Sequence, residues 1–191
     1  MNKLTATILI TFSFVSAALA QEYTIDSNYA DWRYLFGDNY FYLYNDNGDG
    51  IENFDKIPFF EIIVNKDKYG IYKLRLSGAK LYPYDYSEND ANYYDVDIII
   101  DEGDTISYTG KLNPVVDSDI TRIFFLVPKN GPEFTDLFAM MKSGNTISIQ
   151  TNRRGKLRVF KYNLNGFTKG LNKLTQSWIE WKEDNKNLFD N

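Results

Sequence analysis

The chain has 191 residues, 43% hydrophobic and 17% aromatic, with a formal net charge of −5 and neither cysteine nor histidine. Disulfides, cysteine-ligated zinc, thiolate nucleophiles, Ser-His-Asp triads and histidine metal sites are therefore excluded, and carboxylates, Lys and Tyr remain for any proton transfer. The acidic balance also argues against general nucleic-acid binding, which uses a basic stripe to neutralise phosphates.

Residues 1–20 read as a secretory signal peptide. Lys3 supplies the leading charge, Ala6 to Val15 the apolar run, and Ala18-Leu19-Ala20 a small-x-small cleavage pattern. The run is too short to span a bilayer comfortably, and no later segment reaches about 18 apolar residues, so no membrane span is expected in the mature chain. The expectation is an exported protein, periplasmic or secreted. Residues 21–182 read as a single β-rich domain and residues 183–191 as a polar tail.

Residues 21–56 are polar and aromatic by turns. Within them Tyr40-Phe41-Tyr42-Leu43-Tyr44 reads as a strand buried on both faces. Asn45, Asn47 and Asp49 then fall at alternate positions before Gly50, the pattern of the first half of a calcium loop. With Glu52 and Asp55 they form a candidate Ca²⁺ site of a loose kind. The twelfth position of such a loop takes Glu, and here it is Lys56. The competing reading is a solvated turn rich in Asn, Asp and Gly, which needs no ion.

Strands are expected over 58–64 and 69–76, joined by a hairpin loop at 65–68. Residues 82–92 form a tyrosine-rich loop. Further strands are expected over 93–100 and 104–109, joined at Glu102-Gly103, and over 120–127. Residues 133–142 place Phe134, Leu137, Phe138 and Met141 on one helical face, and Gly144 stands where a helix ends. Residues 146–151 and 157–163 alternate as a hairpin around 152–155. Residues 167–181 close the domain as an amphipathic helix with Phe167, Leu171, Leu174 and Trp178 on one stripe. The fold class is mainly β: an antiparallel sandwich or barrel of about eight strands, with a short internal helix and a C-terminal packing helix.

Three further features bear on function. Residues 82–104 carry acids and tyrosines without Lys or Arg, whereas residues 137–161 carry Lys and Arg without acids. Such asymmetry can steer a charged partner, and it can equally be two solvated faces. Asp95, Asp97 and Asp101 are candidates for the paired carboxylates of a hydrolase. Trp32, Tyr34, Tyr82, Tyr84 and Tyr86 lie in polar, loop-like surroundings and are candidates for stacking on sugar rings.

Met141-Lys142-Ser143-Gly144 ends a helix, a hairpin follows over 146–163, and Phe160-x-Tyr162-x-Leu164-x-Gly166-Phe167 leads into the closing helix. Over roughly residues 95–178 this outline resembles small exported bacterial proteins of the invasion-associated-locus-B type and the type VI secretion accessory type. The resemblance implies an exported β-sandwich without established catalytic residues. The functional expectation is a non-enzymatic binding protein with a protein or glycan partner. A calcium- or carbohydrate-binding module and a carboxylate hydrolase are the alternatives.

Overall fold

The computed structural model describes residues 24–46, 48–50, 58–67, 69–79, 92–114, 120–126, 133–153 and 155–189. The signal-peptide segment, Tyr82, Tyr84 and Tyr86, and Asn47, Glu52 and Asp55 of the candidate calcium loop lie outside them. In chain order the elements are β1 (Thr24–Tyr29), β2 (Trp32–Phe36), β3 (Tyr40–Asn45), β4 (Asp49–Gly50), β5 (Phe59–Asn65), β6 (Tyr72–Ala79), β7 (Tyr93–Ile100), β8 (Thr105–Pro114) and β9 (Ile120–Leu126). Helix α1 (Phe134–Ser143), β10 (Thr146–Arg153), β11 (Lys156–Asn163) and α2 (Phe167–Asp184) complete the domain.

The protein is mainly β, as expected. Among the described residues all strands join one antiparallel sheet of order β1-β2-β3-β5-β6-β9-β8-β7-β10-β11-β4. The described residues form eleven strands rather than the expected eight or so, because β1 and β2, a hairpin, and the two-residue β4 carry little apolar alternation of their own. Alternate residues point inward along each strand. Those of β2, β3, β5 to β11 and the apolar faces of α1 and α2 merge into one core. Phe134, Leu137, Phe138 and Met141 are the buried residues of α1, and Phe167, Leu171 and Leu174 are buried on α2.

The sheet curls until its far ends meet. The carbonyl of Asn163, at the end of β11, accepts hydrogen bonds from Trp32 Nε1 on β2 at 3.1 Å and Asn45 Nδ2 on β3 at 2.9 Å. Tyr162 Oη donates to the Pro58 carbonyl at 2.7 Å. Asp49 and Gly50 then pair with Lys161 and Phe160 of β11. A Cβ on Gly48 would lie 2.5 Å from the Tyr162 ring, so only glycine lets the chain pass there. The backbone ladder stays open, with β1 and β4 as its edges, and the seam is sealed by side chains.

This seam corrects two sequence expectations. Trp32 is not a surface ring for sugar stacking: it is 0% exposed and packs on Phe60 and Phe167 at ring separations of 5.8 and 5.0 Å. Tyr34, two residues on, is buried on the same inward face. Asn45 is not offered to an ion: it is buried, and its amide is spent on Asn163. The start of the calcium-like motif is thus a strap across the seam.

Two turns fix the ends of the domain. Asp101 and Glu102 both have positive φ, 49° and 61°, forming the two-residue turn between β7 and β8 one position earlier than expected. The Asp101 carboxylate accepts the backbone N–H groups of Asn145 and Thr146 at 2.8–3.0 Å, together with the Asn145 amide and Thr146 hydroxyl. Gly166, just before α2, combines left-handed backbone with a close approach. Its φ is +86°, and a Cβ would stand 1.9 Å from the Tyr29 carbonyl.

The backbone N–H groups of Asn145 and Thr146 hold the Asp101 carboxyl below its ordinary pKa of 3.8. A carboxyl with a lowered folded-state pKa contributes stability above its unfolded value and loses it as pH falls through the folded one. Asp101→Asn is therefore expected to be less stable than the parent at neutral pH, and the gap is expected to shrink below pH 3.8. Urea unfolding of both proteins at pH 7 and at about pH 3 measures this.

Candidate functional site

The acids proposed for hydrolysis do not form a cleft. Asp95 and Asp97 lie on the outward face of β7, and Asp97 accepts a hydrogen bond from Ser107 at 2.6 Å. Asp101 is taken up by the turn contacts described above. Among the described residues no group of three or more acidic side chains converges as a metal site. A groove of about 340 Å³ runs between the β1–β2 turn and the start of α2, lined by Asn28, Tyr29, Asn165, Gly166, Thr168 and Lys169 among others. Its described lining carries a single formal charge, on Lys169.

A denser constellation lies on the outward face of the sheet. Directly opposed residues of neighbouring antiparallel strands share a face. The register aligns Arg33 of β2 with Tyr44, Tyr44 with Glu61, Glu61 with Arg75, Arg75 with Phe124, Phe124 with Lys111, and Lys111 with Tyr93. The inward neighbours of these residues, Tyr34, Leu43, Ile62, Leu74, Ile123, Leu112 and Tyr94, are in the core. One row across seven strands thus alternates cations and aromatic rings around a single acid.

The contacts along the row are specific. Arg75 forms a two-bonded pair with Glu61, at 2.6 and 3.0 Å, and Ser77 donates to the same carboxylate. The Arg75 guanidinium lies 5.9 Å from the Tyr42 ring and 5.6 Å from that of Phe124. Cation–π attraction of this kind strengthens as water is excluded, and Arg75 is 8% exposed. Around this fixed centre stands a more open rim. Arg33, its side chain 33% exposed, pairs with Asp46 at 3.1 Å and lies over Tyr44 at 6.0 Å. Tyr44 meets Phe59 edge-on, and Phe59 is 37% exposed. Lys73 stands 6.0 Å from Tyr40, and Lys111 5.9 Å from Tyr93. Burial raises the Tyr44 pKa above 10.0 against the lowering pull of Arg33, so at neutral pH the ring keeps its proton.

The rest of the outward face differs. On β10 it shows Ser148, Gln150 and Asn152, with Asp95 and Asp97 beside them on β7. Arg33, Lys73, Arg75, Lys111 and Arg122 therefore concentrate on β2, β6, β8 and β9 of a chain that is acidic as a whole, with Glu61 and Asp46 as the acids paired with them among the described residues.

No family model, curated protein or solved structure matches the chain. The outward row was not found from sequence because each strand supplies one residue to it. Of the candidate stacking residues, Trp32 and Tyr34 turn inward, while Tyr44, Phe59 and Tyr93 are the rings the structure presents.

Proposed function

We propose that the protein is an exported, non-enzymatic glycan-binding protein whose contact surface is the outward face of β2, β3, β5, β6, β9 and β8, with Tyr93 at the start of β7. The observation that carries this reading is the cross-strand row of half-exposed rings interleaved with cations. Aromatic faces take the C–H faces of sugars, and the neighbouring Lys and Arg donate hydrogen bonds to ring substituents. The buried Arg75–Glu61 pair and the rings beside it hold the platform in one shape, which lowers the ordering cost of binding. Export rests on the signal-peptide pattern, and the resemblance over residues 95–178 to exported bacterial β proteins belongs to the same reading.

Binding of the purified protein to a panel of neutral and acidic glycans, read by affinity electrophoresis and calorimetry, tests it. Phe59→Ser removes an exposed ring at the rim. It is expected to weaken binding about tenfold, or ~1.4 kcal/mol, with little change in Tm. Binding to no member of the panel would overturn the reading, as would turnover of any of them.

A further inference from the structure

We infer that the glycan taken by this face is an acidic polysaccharide whose sugars carry carboxylates. The inference rests on the glycan-binding reading and goes beyond it to the class of sugar. The central cation, Arg75, is matched by Glu61, and Arg33 by Asp46. Lys73 and Lys111 are different. Each ammonium stands about 6 Å from the centroid of a tyrosine ring, Tyr40 or Tyr93, and neither has a carboxylate partner among the described residues.

At Tyr40 and Tyr93 the face thus offers a stacking ring with an ammonium beside it and, among the described residues, no carboxylate paired with that ammonium. A neutral sugar offers the two ammonium groups hydroxyl acceptors but no counter-charge. A sugar chain bearing carboxylates supplies the counter-charge as well, so that donor and acceptor are both ionised.

The test uses the full protein with polygalacturonate, alginate and hyaluronate, each compared with its carboxyl methyl ester. The ester keeps the sugar backbone and removes the charge. At least one acid form is expected to bind about tenfold more tightly than its ester, a preference that falls as salt is added. Lys73→Gln and Lys111→Gln are each expected to weaken binding of the acid form several-fold more than binding of its ester, so that the preference falls. Equal affinity for acid and ester would overturn the inference and leave the glycan reading standing. Absence of binding to every glycan, charged or neutral, would overturn both. Tighter binding to single-stranded oligothymidylate than to any acidic glycan would also overturn the inference, in favour of a nucleic-acid surface.

Discussion

Trp32→Ala is expected to lower the free energy of unfolding by about 3–5 kcal/mol, the range for emptying a large aromatic site in a packed core. Trp32 lies between Phe60 and Phe167 and also supplies one of the two side-chain donors to the Asn163 carbonyl. A domain of this kind is held by about 5–15 kcal/mol in all, so the variant sits near the edge of folding. Trp32→Phe keeps a ring in the site and removes the indole donor, which separates packing from hydrogen bonding. Its expected cost is about 1–2 kcal/mol, below that of the alanine variant. Urea unfolding measures all three proteins. A Trp32→Ala protein with parental stability would overturn the buried placement and return Trp32 to the candidates for stacking.

Glu61→Ala is the second large effect. It strands the Arg75 guanidinium between the Tyr42 and Phe124 rings with its carboxylate removed. Removing one side of a largely buried pair costs about 3–5 kcal/mol, because the surviving charge loses its counter-charge. Replacing both partners by apolar residues of similar size is often neutral or stabilising. Glu61→Ala is therefore expected to be much less stable than the parent, and Glu61→Leu with Arg75→Met to recover most of the loss. The double variant also probes the site, since the outer rings keep their strands while the charged centre beneath them is gone. A chemical-denaturation cycle over the parent, the two single variants and the double variant gives the coupling.

These expectations show where sequence reading reached and where it stopped. Tyr93–Ile100 was legible as a strand to the residue, because its inward Tyr94, Val96 and Ile98 recur at period two. The buried face of α1 was legible for the analogous reason at helical spacing. Phe160, Tyr162 and Leu164 recur at period two in the sequence, and all three are buried. The β1–β2 hairpin was not legible. A register shift between Ile25 and Ser27 interrupts the alternation, and β1 is an edge strand rich in polar residues.

The candidate site was the least legible part. Asn45 matched a cation loop by spacing alone, and its true partner, the Asn163 carbonyl, lies 118 residues away. The outward row is assembled from positions between Arg33 and Lys111, then Phe124, in an order the chain does not follow. Local patterning reports which face a residue takes, and strand order decides its neighbours.

The seam also sets an order of events for a chain made from its N-terminus. Strand β11, whose end carries the Asn163 acceptor, is the last strand of the sheet to be synthesised, and Phe167 follows it. Until residue 163 is available, β2 and β3 have no edge to close against, and the indole of Trp32 lacks both its acceptor and half of its cover. Long-range contacts of this kind come late, since the chain between them must first be ordered. For a protein exported as proposed above, the nascent polypeptide stays unlatched and threadable for most of its length, and the last strand is the latch.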